Sequence, residues 1–310
     1  MIENVYSQDS QGNNDRLDNA KSKSLLKNFL QYLRHPTYLS DTPKKESRYK
    51  FWDVFRLLSV SLILSYILGI IIMIALMWVG YGTDQHALSD PSIQENPLSL
   101  VFFAVLIAPI LEELTFRMGL KYSPFRLSFT LAFLYIFISP PVSSFLETSL
   151  NETELILLDA LVFLVIGFGV GLLLKSIEKE KVERFYSKNF FFIFYFFAVL
   201  FAGVHIFNYS NFEGIWFLIP LLVAPQFIGS LVMGYVRIHY GLHWSVLTHM
   251  LDNGVLFTPV LFIEYISSLN LSDISDFEMI GLTFSSLFIL GLGLAVLFAF
   301  IMLLVEFVKK

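Results

Sequence analysis

The sequence predicts an all-α fold, a polytopic transmembrane bundle of about eight spans with both termini on the cytoplasmic side. Three observations predict it. Of 310 residues, 55% are hydrophobic and only 15% charged, whereas a soluble domain carries roughly a quarter charged residues. Apolar runs of about 20 residues, the length that crosses a bilayer core, recur along the chain. Basic residues fall on alternate connections, which orders those runs into a path that crosses and returns.

The chain divides into a cytosolic N-terminal segment, 1–50, and a transmembrane domain, 51–310. The first twenty residues are polar and mixed in charge, lack the apolar core of a signal peptide, and read as disordered. Around 22–34, Leu26, Phe29, Leu30 and Leu33 recur at i, i+3, i+4 and i+7 among lysines. That spacing predicts a short amphipathic helix, lying either on the membrane surface or on the protein's own cytosolic face. Spanning runs follow at 57–79, 98–120, 127–146, 155–174, 189–208, 215–236, 241–265 and 279–306. Pro140–Pro141 should kink or break the third.

Charge orders these spans. Ten basic residues precede the first, and the connections near 80–97, 147–154, 209–214 and 266–278 contain no Lys or Arg. Twenty of the 21 basic residues thereby fall on one side; the exception is Arg117, inside the second span. A wrong span count would scramble that alternation. A net charge of −5 gives no electrostatic basis for a nucleic-acid partner, so the expected partner is the lipid bilayer itself. With no cysteine there is no disulfide, thiolate metal site, cysteine nucleophile, palmitoylation or prenylation of this chain.

Ionisable groups inside a span are costly unless paired or solvated, and each therefore marks a candidate site. Glu113 and Arg117 are i and i+4 on the second span, so they share a face and can pair. Glu112 points about 100° away and stays free to act as a base. His205 ends the fifth span after Phe201. His249 and Asn253 are i and i+4 on the seventh and can present two side-chain donors together. Each feature alone also has a structural reading, as a buried charge pair, a packed core histidine or an interhelical hydrogen bond.

Together, the order Glu-Glu-x-x-x-Arg, Phe-x-x-x-His and His-x-x-x-Asn on separate hydrophobic helices resembles the CPBP family. This is the family of CAAX prenyl proteases and bacteriocin-processing proteases, also called Abi. Ala108-Pro109-Ile110-Leu111 before the glutamates and Trp244-Ser245 before His249 agree with it, and the resemblance covers about residues 98–260. It implies an intramembrane endopeptidase acting on a peptide or membrane-protein substrate, CAAX-type prenylated or leader-peptide in kind. Glu112 and His205 would activate water, His249 and Asn253 would stabilise the oxyanion, and Glu113 and Arg117 would support them. Phe201 matches the aromatic position of the motif, a packing residue. The expected location is a bacterial inner membrane rather than a eukaryotic endoplasmic reticulum.

Alternatives stay open at this point. The same scaffold could serve a non-catalytic immunity or binding protein, or a transporter using Glu112, Glu113 and Arg117 as an ion relay. The mechanism needs no metal or other cofactor and is read as metal-free, yet two histidines and a glutamate on three helices could also ligate zinc. Hydrolysis would need a polar cavity open to the cytosol. The second span is followed by two others before His205. Counting 1.5 Å per residue places Glu112 and His249 roughly 12 Å from the inner boundary and His205 roughly 24 Å, a gap that tilt or a deeper start to the fifth helix would have to close.

Overall fold

In lipid, every backbone N–H and C=O must be satisfied within the protein, so long apolar stretches fold as helix. The computed structural model describes residues 24–39, 47–81, 101–146, 151–209, 212–268 and 276–309, and nearly all of these are helical. Residues 1–20, expected to be disordered, lie outside the described ones.

The helices follow in chain order. Helix α1 is Leu25–Arg34 and α2 is Ser47–Trp78. A π-helical turn at Phe103–Ile107 leads into α3, Ala108–Phe116. Helix α4 is Pro124–Leu146, and α5 runs Glu152–Lys175 with a π-helical stretch at Val165–Val170. Helix α6, Lys179–Val204, tightens to a 3-10 turn at His205–Asn208. Then come α7 (Ala224–His239), α8 (Leu242–Ser268) and α9 (Asp276–Lys309). Helix α4 continues through Pro140–Pro141, where the sequence predicts a kink or break.

Among the described residues, five helical segments are long and apolar enough to cross a membrane: Arg48–Trp78, Glu152–Lys175, Lys179–Asn208, Gly214–His239 and Ser285–Lys309. Large apolar side chains on them, such as Trp78, Leu173 and Phe192, are strongly exposed, as suits a lipid-facing surface. The other three expected spans fall on α3, α4 and α8. Of these, α3 is short and carries Glu112 and Glu113, and in α4 the described apolar stretch is Pro124–Phe137.

Helix α7 is the centre of the bundle, with Gly229, Ser230 and Val232–Ile238 all buried. It packs on α2, α6 and α8. Gly234 permits this approach: a Cβ there would lie 2.7 Å from the Phe194 ring of α6. Small residues at such crossings are the usual route to close packing between membrane helices.

Most of the basic residues gather at one end of the bundle, and that end is densely filled. Helix α1 buries Leu25, Leu26, Phe29 and Tyr32 there against α6, α7 and α9. The Tyr32 ring meets Tyr235 and His239 edge-on, at centroid distances of 5.2 and 4.9 Å. The Tyr195 hydroxyl donates to the Leu33 carbonyl at 2.6 Å. The apolar face of α1 is therefore docked on the protein itself, not on lipid. Nearby, Arg56 bridges Asp53 at 2.8 Å and Glu306 at 2.6 Å, tying α2 to α9. Tyr240 donates to the second Asp53 oxygen at 2.9 Å. Burial, followed by the Asp53 charge, raises the Tyr240 phenol above its ordinary pKa and keeps it a donor.

Tyr240 and Gly241 form the tight turn that sets α8 against α7. Gly241 sits at φ +109°, and the N–H groups of Tyr240 and Gly241 both donate to the Val236 carbonyl. A side chain is strained in that backbone region, so Gly241→Ala should cost about 1–3 kcal/mol. The expected result is a lower melting temperature in detergent; an unchanged one would count against this account of the turn.

Candidate active site

Successive residues on a helix diverge by about 100°, and α3 uses this to send its two glutamates to different places. Glu113 is fully buried and held by three donors. Arg117 Nε lies 3.3 Å from Oε1, His249 Nδ1 lies 3.1 Å from the same oxygen, and the Ser245 hydroxyl donates to Oε2. Arg117 is itself 1% exposed and sits at the C-cap of α3, where a cation suits the helix dipole. Its guanidinium stacks 3.9 Å above the Phe201 ring, and its carbonyl accepts from Arg237 Nε at 3.0 Å. Phe201 also touches His205 and His249, so it is the packing residue around which the site is arranged.

Glu112 turns the other way and faces both histidines. Its Oε2 is 3.5 Å from His249 Nε2 and 4.0 Å from His205 Nε2. The opposite ring nitrogens are already committed. His205 Nδ1 is 2.8 Å from the Phe201 carbonyl, which can only accept, so that nitrogen donates. His249 Nδ1 likewise donates to the Glu113 carboxylate. Both rings are thereby fixed in orientation with Nε2 aimed at Glu112.

The gap in depth between His205 and Glu112 is closed by a deeper helix start. Helix α6 begins at Lys179, ten residues before the apolar run, and Phe201 lies level with Phe116, the two rings meeting edge-on at 5.4 Å. One further turn brings His205 level with Glu112.

Asn253 is anchored by the π-helical turn. Ala108 N–H bonds the Phe103 carbonyl, five residues back, and the next bond in that register would come from residue 109. That residue is Pro109, which has no N–H. The Asn253 amide nitrogen supplies the missing donor to the Ala104 carbonyl at 2.8 Å. An amide nitrogen carries two hydrogens, so one remains for a ligand.

These groups line a cavity of about 430 Å³. Glu112, Phe201, Met233 and His249 lie at its floor, and on every helix the remaining lining residues lie on one side of that level. Phe103 and Ala104 precede Glu112, Asn208 follows His205, Gln226 precedes Met233, and Leu256 follows His249. All are displaced away from the basic end that carries Lys121, Arg237 and α1. The lining thus extends from this floor toward the end of the bundle opposite the basic residues.

The six residues expected at the site, Glu112, Glu113, Arg117, His205, His249 and Asn253, are all brought together. Ser245 as a donor to Glu113, and Ser65, Asn208, Gln226 and Asp252 as lining, were not anticipated. Asp252 could have been, as an intramembrane carboxylate one turn from His249. Among the described residues no group of three His, Cys, Asp or Glu is arranged to hold a metal ion. No family model, curated protein or solved structure matches the chain.

Proposed function

We propose that the protein is a multi-pass intramembrane endopeptidase of about eight spans, cleaving a peptide segment by glutamate-activated water. The observation that carries this reading is the convergence of Glu112, His205 and His249. They come from three helices far apart in sequence and meet within 4.0 Å at the floor of a largely apolar cavity. Glu112 takes a proton from water as the water oxygen attacks the peptide carbonyl carbon, with His205 Nε2 as a second acceptor beside it. The free Asn253 N–H and a protonated His249 Nε2 donate to the developing oxyanion. Glu113 orients His249 from the far side of its ring, and Arg117 balances the Glu113 charge. The proton then passes to the leaving amine as the C–N bond breaks.

The test compares new peptide termini in cells expressing the wild type and Glu112→Gln at matched levels. Termini present only with the wild type support proteolysis and name substrates; identical profiles from two folded proteins would overturn it.

With the basic end in the cytoplasm, as the positive-inside rule requires, the cavity extends into the outer half of the membrane. That favours a membrane-embedded or leader-type segment over a CAAX tail presented from the cytosol. The absence of cysteine makes a labelling test clean. A single cysteine at Asn208 is expected to react with an impermeant maleimide in intact cells, whereas one at Lys181 should react only after lysis. The reverse pattern would invert the orientation.

A further inference from the structure

The mechanism above leaves one ionisable group of the cavity unused. Asp252 is 7% exposed and lines the cavity, and its buried Oδ1 has no hydrogen-bond partner among the described residues; the carboxyl meets only the Ser61 hydroxyl and, one turn back on its own helix, His249. Gln226, on α7, lines the same cavity and likewise has a buried carbonyl oxygen, Oε1, without a partner. No Lys or Arg lines the cavity. The arginines beneath it are committed, Arg117 to Glu113 and Arg237 to the carbonyls of Arg117 and Met118. The space therefore holds two acids, Glu112 and Asp252, and an amide acceptor, but no fixed cation of its own, its two histidines being engaged with Glu112.

A buried carboxylate within a membrane bundle is expensive unless something pairs with it. A structural role would pair it inside the protein, as Glu113 is paired. At Gly229 a Cβ would lie at ordinary contact distance, 3.9 Å from Asp252 Oδ2 and 3.5 Å from Ser61 Oγ, so this position of α7 faces the carboxyl directly. We propose that Asp252 and Gln226 form a subsite that receives a positively charged, hydrogen-bond-donating group, the ammonium or guanidinium of a Lys or Arg side chain. Naming a peptide side chain as the ligand rests on the endopeptidase reading; the preference for an organic cation does not. Asp252 lies one turn beyond His249, roughly 4.5 Å along α8. An extended peptide advances about 3.3–3.6 Å per residue, so the charged side chain belongs one or two residues from the cleaved bond.

Two measurements on the full-length protein in detergent test this. In the first, n-butylguanidinium is added at increasing concentration, with n-butanol and sodium chloride as controls. A ligand bound by the folded state raises its melting temperature. The expected result is a rise with butylguanidinium in the wild type that is lost in Asp252→Asn and in Gly229→Val, and no rise with either control. An equal rise in Asp252→Asn, or the same rise with sodium chloride, would overturn the subsite. In the second, two reporter peptides differing only by Lys or norleucine beside the scissile bond are compared. The wild type should prefer Lys by about tenfold or more, the scale of one charged hydrogen bond, and Asp252→Asn should lose that preference. Equal cleavage of both by the wild type overturns the subsite and leaves the peptidase standing. Selective stabilisation by butylguanidinium with neither peptide cleaved does the opposite.

Discussion

Glu112→Gln is expected to lower the cleavage rate by about a hundred- to ten-thousand-fold, the range over which a positioned general base acts, while leaving the melting temperature unchanged. The two halves of this expectation come from the same geometry. Glu112 is the carboxylate whose Oε2 faces both histidine Nε2 atoms, yet that oxygen accepts no hydrogen bond among the described residues. The amide keeps its size and shape but cannot take a proton from water. Its NH2 group can donate to His205 Nε2 and its carbonyl oxygen can accept from His249 Nε2, so the variant loses no packing. Rates on a reporter peptide, alongside thermal unfolding in detergent, check both parts. Near wild-type cleavage would remove Glu112 from the mechanism. A large fall in melting temperature would make it a structural residue instead.

What could be read from the sequence were the contacts made along one helix. The Glu113–Arg117 pair follows from i, i+4 spacing, and the divergence of Glu112 from the 100° step. The amphipathic stripe around 22–34 was legible too, though not its rotation. Leu30, expected on the apolar face, is 41% exposed, while Tyr32 is buried because its ring fits between Tyr235 and His239. Contacts between helices were not legible. Ser245 and Glu113 are 132 residues apart, and no spacing rule connects them. Asn253 could be recognised as a donor, but its anchoring depends on a π-helical turn and on Pro109, which hydropathy does not register. The depth of His205 could not be fixed because apolar runs report where lipid begins, not where a helix begins. The direction of the cavity needed five helices in register at once.

Arg117→Met should be the most damaging substitution for stability, costing about 3–5 kcal/mol, the usual penalty for removing one partner of a buried ion pair. Arg117 and Glu113 have side chains only 1% and 0% exposed, so neither can turn to water when the other is lost. The remaining donors to Glu113, Ser245 and His249, satisfy its oxygens without supplying a fixed charge to balance it. Reduced expression and a lower melting temperature are therefore expected. Burial alone would predict a similar loss for any truncation of a large side chain, and Arg117 does stack on Phe201. The double variant Glu113→Gln/Arg117→Met separates the two causes. If unbalanced charge dominates, the double variant should be more stable than Arg117→Met alone, because it leaves no unpaired carboxylate. If packing dominates, the second substitution should add to the damage. In either case cleavage should fall, since Glu113 also orients His249. A double variant that regained stability without regaining activity would separate the role of this pair in holding the bundle from its role in aiming the histidine.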